Sequence, residues 1–179
     1  AAGVAAAVAL FRFPGRGLVS LLLNTFMGLP PVVVGLIVFL ILSRSGPLGV
    51  LGLLFTPTAM IIAQAILVTP IIAALTRQIV EDLGREYDEQ LRSLDAGPLN
   101  RLGTLIFDAR FSLATTVLAG FGRAIAEVGA VMIVGGNIDH ATRVMTTAIA
   151  LETSKGNLAT ALGLGIVLLV IALTVNATL

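Results

Sequence analysis

Two ionisable residues, Arg123 and Glu127, lie inside a stretch of the chain that is otherwise apolar. They are four positions apart, which places them on one face of a helix, where opposite charges can pair. A charge in hydrocarbon costs about 2.5–3.5 kcal/mol, so such residues normally face protein or water. Two interpretations stay open: a salt bridge that locks this helix against its neighbours, or a place along the route of a transported ion.

Hydroxyl groups offer a second kind of chemistry at Thr146 and Thr147, in a short stretch with a helical pattern. Two adjacent hydroxyls can donate hydrogen bonds to an oxyanion. Helix capping or packing explains the same two residues equally well. The sequence alone favours neither explanation.

Other classes of chemistry are not indicated. The chain has no cysteine and one histidine, His140, so the sequence predicts neither a disulfide nor a multi-histidine or thiolate metal site within one chain. No G-x-x-x-x-G-K-S/T phosphate loop occurs, because the only lysine, Lys155, precedes its glycine. A net charge of +1 gives no basic patch for nucleic acid. We therefore expect neither an enzyme nor a subunit that binds ATP itself.

The composition places these residues in a lipid bilayer. Hydrophobic residues make up 57% of the chain and charged residues only 12%, against about 25% charged residues in soluble domains. Uncharged stretches occur at 17–43, 45–76 and 156–179, and about 20 apolar residues span the membrane as a helix. These stretches do not alternate as barrel strands do. The sequence therefore predicts an all-α integral membrane protein.

We expect about five transmembrane helices in a single transmembrane domain covering residues 1–179. The first, at 1–11, is the rear part of a span; the others are predicted at about 18–42, 57–77 and 111–134, and from about 158 onward. Pro30 and Pro31 should interrupt the second span and Pro70 should kink the third, because proline removes a backbone donor. An interruption in a membrane is tolerated only where protein or a cavity covers the freed carbonyl groups.

The segment at about 81–110 differs from the rest, because it holds seven of the ten acidic residues. Gly97-Pro98 should end one helix there and begin another. Its side of the membrane carries seven Lys and Arg residues against three on the other, which indicates that the segment is cytoplasmic. Anionic headgroups would repel an acidic segment, so we expect a protein partner for its apolar stripe. The stripe consists of Leu83, Tyr87, Leu91 and Leu94.

This segment resembles the cytoplasmic loop of the permeases of binding-protein-dependent ABC importers. That loop carries Glu-Ala-Ala, three residues, Gly, nine residues and Ile-x-Leu-Pro. Here the spacing gives Glu89-Gln90-Leu91, then Asp95 at the glycine position, then residues 105–108 without the proline. The resemblance implies a type I ABC importer permease fold whose coupling segment docks on an ATPase. The residues assigned to that contact are Glu89, Arg92, Leu94, Asp95, Ala96 and Gly97.

Segments at 29–36, 45–49, 126–130, 135–138 and 146–153 are similar to the tungstate and molybdate branch of this family, and more to its tungstate permeases. The resemblance implies import of an oxyanion, tungstate or molybdate, by a homodimer in the bacterial or archaeal plasma (inner) membrane. It further implies two cytoplasmic ATPase subunits, which would hold ATP and Mg²⁺, and an external solute-binding protein. This chain itself is expected to hold no cofactor.

Three alternatives remain at this point. One is a secondary transporter that uses Arg123 and Glu127 as an ion relay, which would predict inverted repeats that the sequence does not display. The second is a permease of the same family for a different anion, and the third is a membrane scaffold that does not transport. The residues expected to line the route or form the structural lock are Arg123, Glu127, Thr146, Thr147, Pro30 and Pro31.

Overall fold

The computed structural model describes residues 15–93 and 97–178, and the regular structure in these ranges is helical. The helices are α1 (Arg16–Met27), α2 (Pro31–Leu42), α3 (Pro57–Glu86), α4 (Asp88–Ser93), α5 (Pro98–Asp108), α6 (Arg110–Ile125), α7 (Gly129–Gly135), α8 (Met145–Ser154) and α9 (Leu158–Ala177). A 3-10 turn at Gly49–Leu51 lies in the loop before α3. The partial span predicted at 1–11 lies outside the described residues.

Within the described ranges, α3 and α9 are each long and apolar enough to cross a membrane. Two more spans result if each bent helix pair counts as one: Gly17–Met27 with Pro31–Leu42, and Asn100–Asp108 with Arg110–Ile125. The helical membrane class is therefore confirmed. The number of spans is two to four among the described residues, against the five predicted for the whole chain.

The third predicted span continues beyond its expected end. We predicted a helix end near Arg77 and a separate amphipathic helix from 81, but α3 runs from Pro57 through Pro70 to Glu86. Arg77 Nη1 lies 2.9 Å from Glu81 Oε1, one turn further on. Ion pairs at this spacing stabilise a helix, so the first charged turn extends α3 instead of ending it.

The fourth predicted span, 111–134, is wrong as one continuous helix. α6 ends at Ile125 and α7 begins at Gly129, so residues 126–128 form a break within the expected span. The physical reason lies in the side chain of Glu127, described below.

The chain packs as two compact units, and the first has its core in the charged segment. This unit comprises Thr69–Gly120 and the described residues up to Gly28. The end of α3, together with α4 and α5, folds back on itself as a helix–turn–helix. Its buried residues are Val80, Leu91 and Leu105, with Leu83, Tyr87, Leu102 and Ile106 packed around them.

The second unit comprises Leu29–Val68 and Phe121–Leu179. Gly35 on α2 lies against Ala130 on α7, so closely that a Cβ at Gly35 would be 2.7 Å from Ala130 Cα. Small residues at such crossings let helices approach closely in membranes. The core of this unit consists of Val34, Val38, Leu42, Ala59, Met60, Ala63, Leu67, Ala130, Val131 and Val134. That residues 1–179 form one transmembrane domain stays a prediction.

Helix α9 turns most of its apolar side chains outward. Leu162, Leu169 and Leu173 are between 64% and 69% exposed, and Ala161 is the one buried residue of the helix. Leucines exposed along a 20-residue helix suit contact with lipid, because hydrocarbon does not penalise apolar surface as water does.

Candidate functional site

The break between α6 and α7 interrupts backbone hydrogen bonding within an apolar region. At the end of α6, the Ala126 amide donates to Gly122 O at 3.1 Å and the Glu127 amide donates to Ala124 O at 3.2 Å. α7 then starts anew, and the Met132 amide donates to Val128 O at 2.9 Å. Polar groups at such a break in a membrane need partners from protein or water.

Glu127 bridges the break with its carboxylate. Oε2 lies 2.7 Å from Arg123 Nη1 on α6, and Oε1 accepts a hydrogen bond from the Ala130 amide in the first turn of α7 at 3.0 Å. The Glu127 side chain is 3% exposed and that of Arg123 33%. A carboxylate is favourable at a helix start. Because the carboxylate binds groups on both helices, it stabilises the break relative to one continuous helix.

Two more side chains hold the backbone of the break from other helices. Gln64 Nε2 on α3 donates to Ala124 O at 3.2 Å, and Thr146 Oγ1 on α8 donates to Glu127 O at 3.1 Å. The structure thus brings Arg123, Glu127 and Thr146 together, as one polar cluster in the second unit. Sequence reasoning missed Gln64, although it is the only amide side chain in the uncharged stretch 45–76.

Thr147 has a local role instead. Its Oγ1 donates to Val144 O at 2.9 Å and accepts a hydrogen bond from the Val144 amide at 3.0 Å. The residue is fully buried. Its hydroxyl therefore caps the start of α8, and it does not join the cluster at the break.

Pro30 is the N-cap of α2 and Pro31 is its first residue, where helix resumes after α1 ends at Met27. Pro30 O accepts hydrogen bonds from the Val33 amide at 3.0 Å and the Val34 amide at 3.2 Å. A Cβ at Gly129 would lie 3.1 Å from Val32 Cγ2, so the starts of α2 and α7 are neighbours. That other helices cover this interruption stays a prediction, because Pro30 is exposed and Pro31 half-buried in the single chain.

The predicted coupling segment is partly described. Glu89 and Gly97 are exposed, whereas Leu94, Asp95, Ala96 and the side chain of Arg92 lie outside the described residues. Arg101 fixes the turn, since its Nη2 donates to Asp88 Oδ1 at 2.7 Å and to Gly84 O at 3.2 Å.

The apolar stripe of this segment faces inward, so a partner contact through its described members was a wrong expectation. Leu91 is 7% exposed and packs on Leu105, with Leu83 and Tyr87 beside them. The helix–turn–helix uses the stripe for its own core, because α5 offers a matching apolar face.

A groove of about 310 Å³ in the first unit also contains several hydroxyl groups. Thr115 and Thr116 on α6 each donate back to the carbonyl four residues earlier, at 3.1 and 3.0 Å. Hydroxyls bound to their own helix retain little donor capacity for a ligand. The groove is lined by Leu75, Ile79, Ser112, Thr115, Thr116 and Ala119.

The last turn of α8 contains an acidic side chain, Glu152, with two partners in the linker to α9. Lys155 Nζ donates to Glu152 Oε1 at 2.9 Å, and Asn157 Nδ2 donates to Oε2 at 3.0 Å. These hydrogen bonds, that from Lys155 first, hold the pKa of Glu152 below its ordinary value. Glu152 thus ties the end of α8 to the start of α9.

Comparison with known proteins assigns a family. Residues 1–178 match the family described as "Binding-protein-dependent transport system inner membrane component". The chain is 46% identical to the "Tungstate uptake system permease protein TupB" of Peptoclostridium acidaminophilum, over 99% of this chain and 77% of that protein. It is 42% identical to the protein of that name from Campylobacter jejuni, over 93% and 70%. It is also 42% identical to a "Probable anion ABC transporter permease protein" of Haloferax volcanii, over 97% and 77%.

The match extends over nearly the whole chain, including both helices around the break and the charged helix–turn–helix. The described part of the chain also contains apolar helices that are long enough to cross a membrane. The chain therefore belongs to the inner-membrane components of binding-protein-dependent transport systems.

Proposed function

We propose that this chain is the permease subunit of an ATP-driven tungstate importer, with molybdate as a second candidate substrate. The observation that carries the proposal is 46% identity to a tungstate uptake permease across 99% of the chain. The polar helix break supports a role in forming the route, because non-helical backbone at membrane depth is tolerated where it is buried in protein or lines a cavity.

In this proposal the residues of the cluster at the break have two different roles. Glu127 is buried and satisfied by Arg123 and the Ala130 amide, so it acts as a structural lock. Arg123 is one-third exposed and has further N–H donors, so it is the group available to attract an oxyanion. Gln64 and Thr146 hold the backbone on either side, which keeps the break in one conformation.

The test is uptake by vesicles that contain the chain together with its cognate ATPase and external binding protein. A homodimer with two ATPase subunits should accumulate tungstate only when ATP and Mg²⁺ are supplied, and molybdate and sulfate less well. Uptake that ignores ATP and follows an ion gradient would support the relay alternative instead. ATP-driven uptake of sulfate alone would support the class of transporter and contradict tungstate as the substrate.

Coupling to the ATPase has its own matched pair of variants. Glu89 and Glu86 are both exposed acidic residues of the charged segment, but only Glu89 stands in the docking-loop pattern. E89Q should lower substrate-stimulated ATP hydrolysis while the chain still inserts in the membrane, and E86Q should leave hydrolysis near the unmodified level. Equal hydrolysis in E89Q, E86Q and the unmodified chain would contradict docking through Glu89.

A further inference from the structure

The guanidinium group of Arg110 contacts two exposed aromatic rings at the corner where α5 meets α6. The Arg110 guanidinium carbon is 4.3 Å from the centroid of the Phe107 ring and 4.6 Å from that of the Phe111 ring. Arg110 Nη1 also donates to Phe107 O at 2.9 Å, which fixes the side chain over the corner. Phe107 is 65% exposed and Phe111 73%. We call these three residues the corner cluster.

The corner cluster is not part of the core of its own unit. The neighbouring apolar residues of α5, Leu102, Leu105 and Ile106, pack inward in the charged helix–turn–helix. Phe107 therefore points away from that core, on the face of α5 that also carries the exposed Thr104. Among the described residues Arg110 has no carboxylate partner. A cation with two rings against it is suited to an environment that is apolar on one side and anionic on the other.

The exposed residues of the chain change from polar to apolar at this corner. Before it, the exposed residues of α5 include the polar Asn100, Thr104 and Asp108. After it, α6 leaves at 67° to α5 and exposes apolar residues, with Val117 55% and Phe121 39% exposed. The corner cluster thus lies where a water-facing surface passes into a surface suited to hydrocarbon.

We infer that Phe107, Arg110 and Phe111 anchor this corner in the headgroup layer of the bilayer. The two rings enter the upper acyl region, and the guanidinium binds lipid phosphate, for which its planar set of donors is well shaped. Aromatic and basic side chains at such a level fix the depth of a span. The anchor would set the point at which the charged segment leaves the membrane, whichever anion is transported.

The absence of tryptophan from the chain makes depth measurable. Each variant would carry one tryptophan as its fluorophore, in the full chain in vesicles of phosphatidylcholine and phosphatidylglycerol. F111W reports on the corner, and V117W lies about 9 Å further along α6 at 1.5 Å per residue. H140W is the water-exposed control, since His140 is a loop residue with a 95% exposed side chain. The quenchers are lipids brominated at shallow or deep acyl positions, and acrylamide in the water.

The expected result is an ordered depth. Shallow-brominated lipid should quench F111W more than deep-brominated lipid does, the order should reverse for V117W, and acrylamide should quench H140W most. R110Q in the F111W background should reduce shallow quenching and shift the emission to longer wavelength. If F111W does not fold, F107W provides the same measurement.

Three outcomes would overturn the anchor. In the first, acrylamide alone quenches F111W and F107W, which would place the corner in water. In the second, the deep lipid quenches them most. In the third, adding the cognate ATPase removes quenching by lipid, which would make the corner cluster a protein-docking surface.

Discussion

Removing Arg123 alone from the Arg123–Glu127 pair should cost more than removing both charges. Glu127 is the more buried partner, with a side chain 3% exposed against 33% for Arg123. R123M leaves a buried carboxylate with the Ala130 amide as its remaining described partner, and a stranded charge at this depth costs about 3–4 kcal/mol. E127Q leaves a guanidinium that still reaches water, and its amide oxygen can keep the Ala130 hydrogen bond, so we expect about 1–2 kcal/mol.

The double variant R123M/E127Q contains neither charge and keeps that hydrogen bond. Its free energy of unfolding should therefore fall by only about 1–2 kcal/mol, which leaves a coupling between the two sites of about 3 kcal/mol. The assay is denaturant unfolding of the purified chain in mixed micelles, for the two single variants and the double variant. Expression in the membrane provides a second readout of folding.

Two results would refute this reasoning. If the effects of R123M and E127Q simply add in the double variant, the pair is not a lock. If E127Q is more damaging than R123M, burial does not control which charge is costly. Uptake measured on the same variants separates lock from route, because a well-folded double variant without transport would assign Arg123 to the path of the oxyanion.

Three further predictions concern packing, an interhelical hydrogen bond and pH. G35A should destabilise the chain by about 1–3 kcal/mol in thermal unfolding, because its new Cβ meets α7. The control G163A on α9 should not destabilise it, since nothing lies within 4 Å of that position. Equal effects of the two substitutions would contradict the close crossing of α2 and α7. T146V should lower the unfolding free energy by about 0.6–1.7 kcal/mol through loss of the bond to the break, and T153V, which loses a bond within its own helix, should cost less. Because the pKa of Glu152 is lowered by folding from its ordinary 4.5, its stabilising contribution is complete above that value and disappears as pH falls through the folded pKa. Above pH 4.5, amides at 155–158 should therefore exchange more slowly with solvent, relative to their intrinsic rates, in the unmodified chain than in E152Q. This difference should disappear as the pH falls through the folded pKa, because a neutral Glu152 resembles glutamine, and E152Q should show no such pH dependence.

The surrounding solvent, the class of fold and the family all followed from the order of the amino acids. Long uncharged stretches require helices in a bilayer, because backbone polar groups must be satisfied within each span. The start of α9 at Leu158, the interruption before Pro31 and the helix start at Pro98 also followed from local signals, because caps and prolines act over a single turn. The spacing of Arg123 and Glu127 likewise predicted that they could pair.

How those elements are used depends on contacts that form only in the folded chain. The break at 126–128 depends on Gln64 and Thr146, which are distant in sequence and reach it from other helices. The stripe containing Leu91 could face lipid, a partner or its own chain by periodicity alone, and the matching face of α5 decided that it faces inward. Local patterns specify which side of a helix is apolar. What covers that side depends on contacts between segments far apart in the chain, and so does a helix end that is held by side chains of other helices.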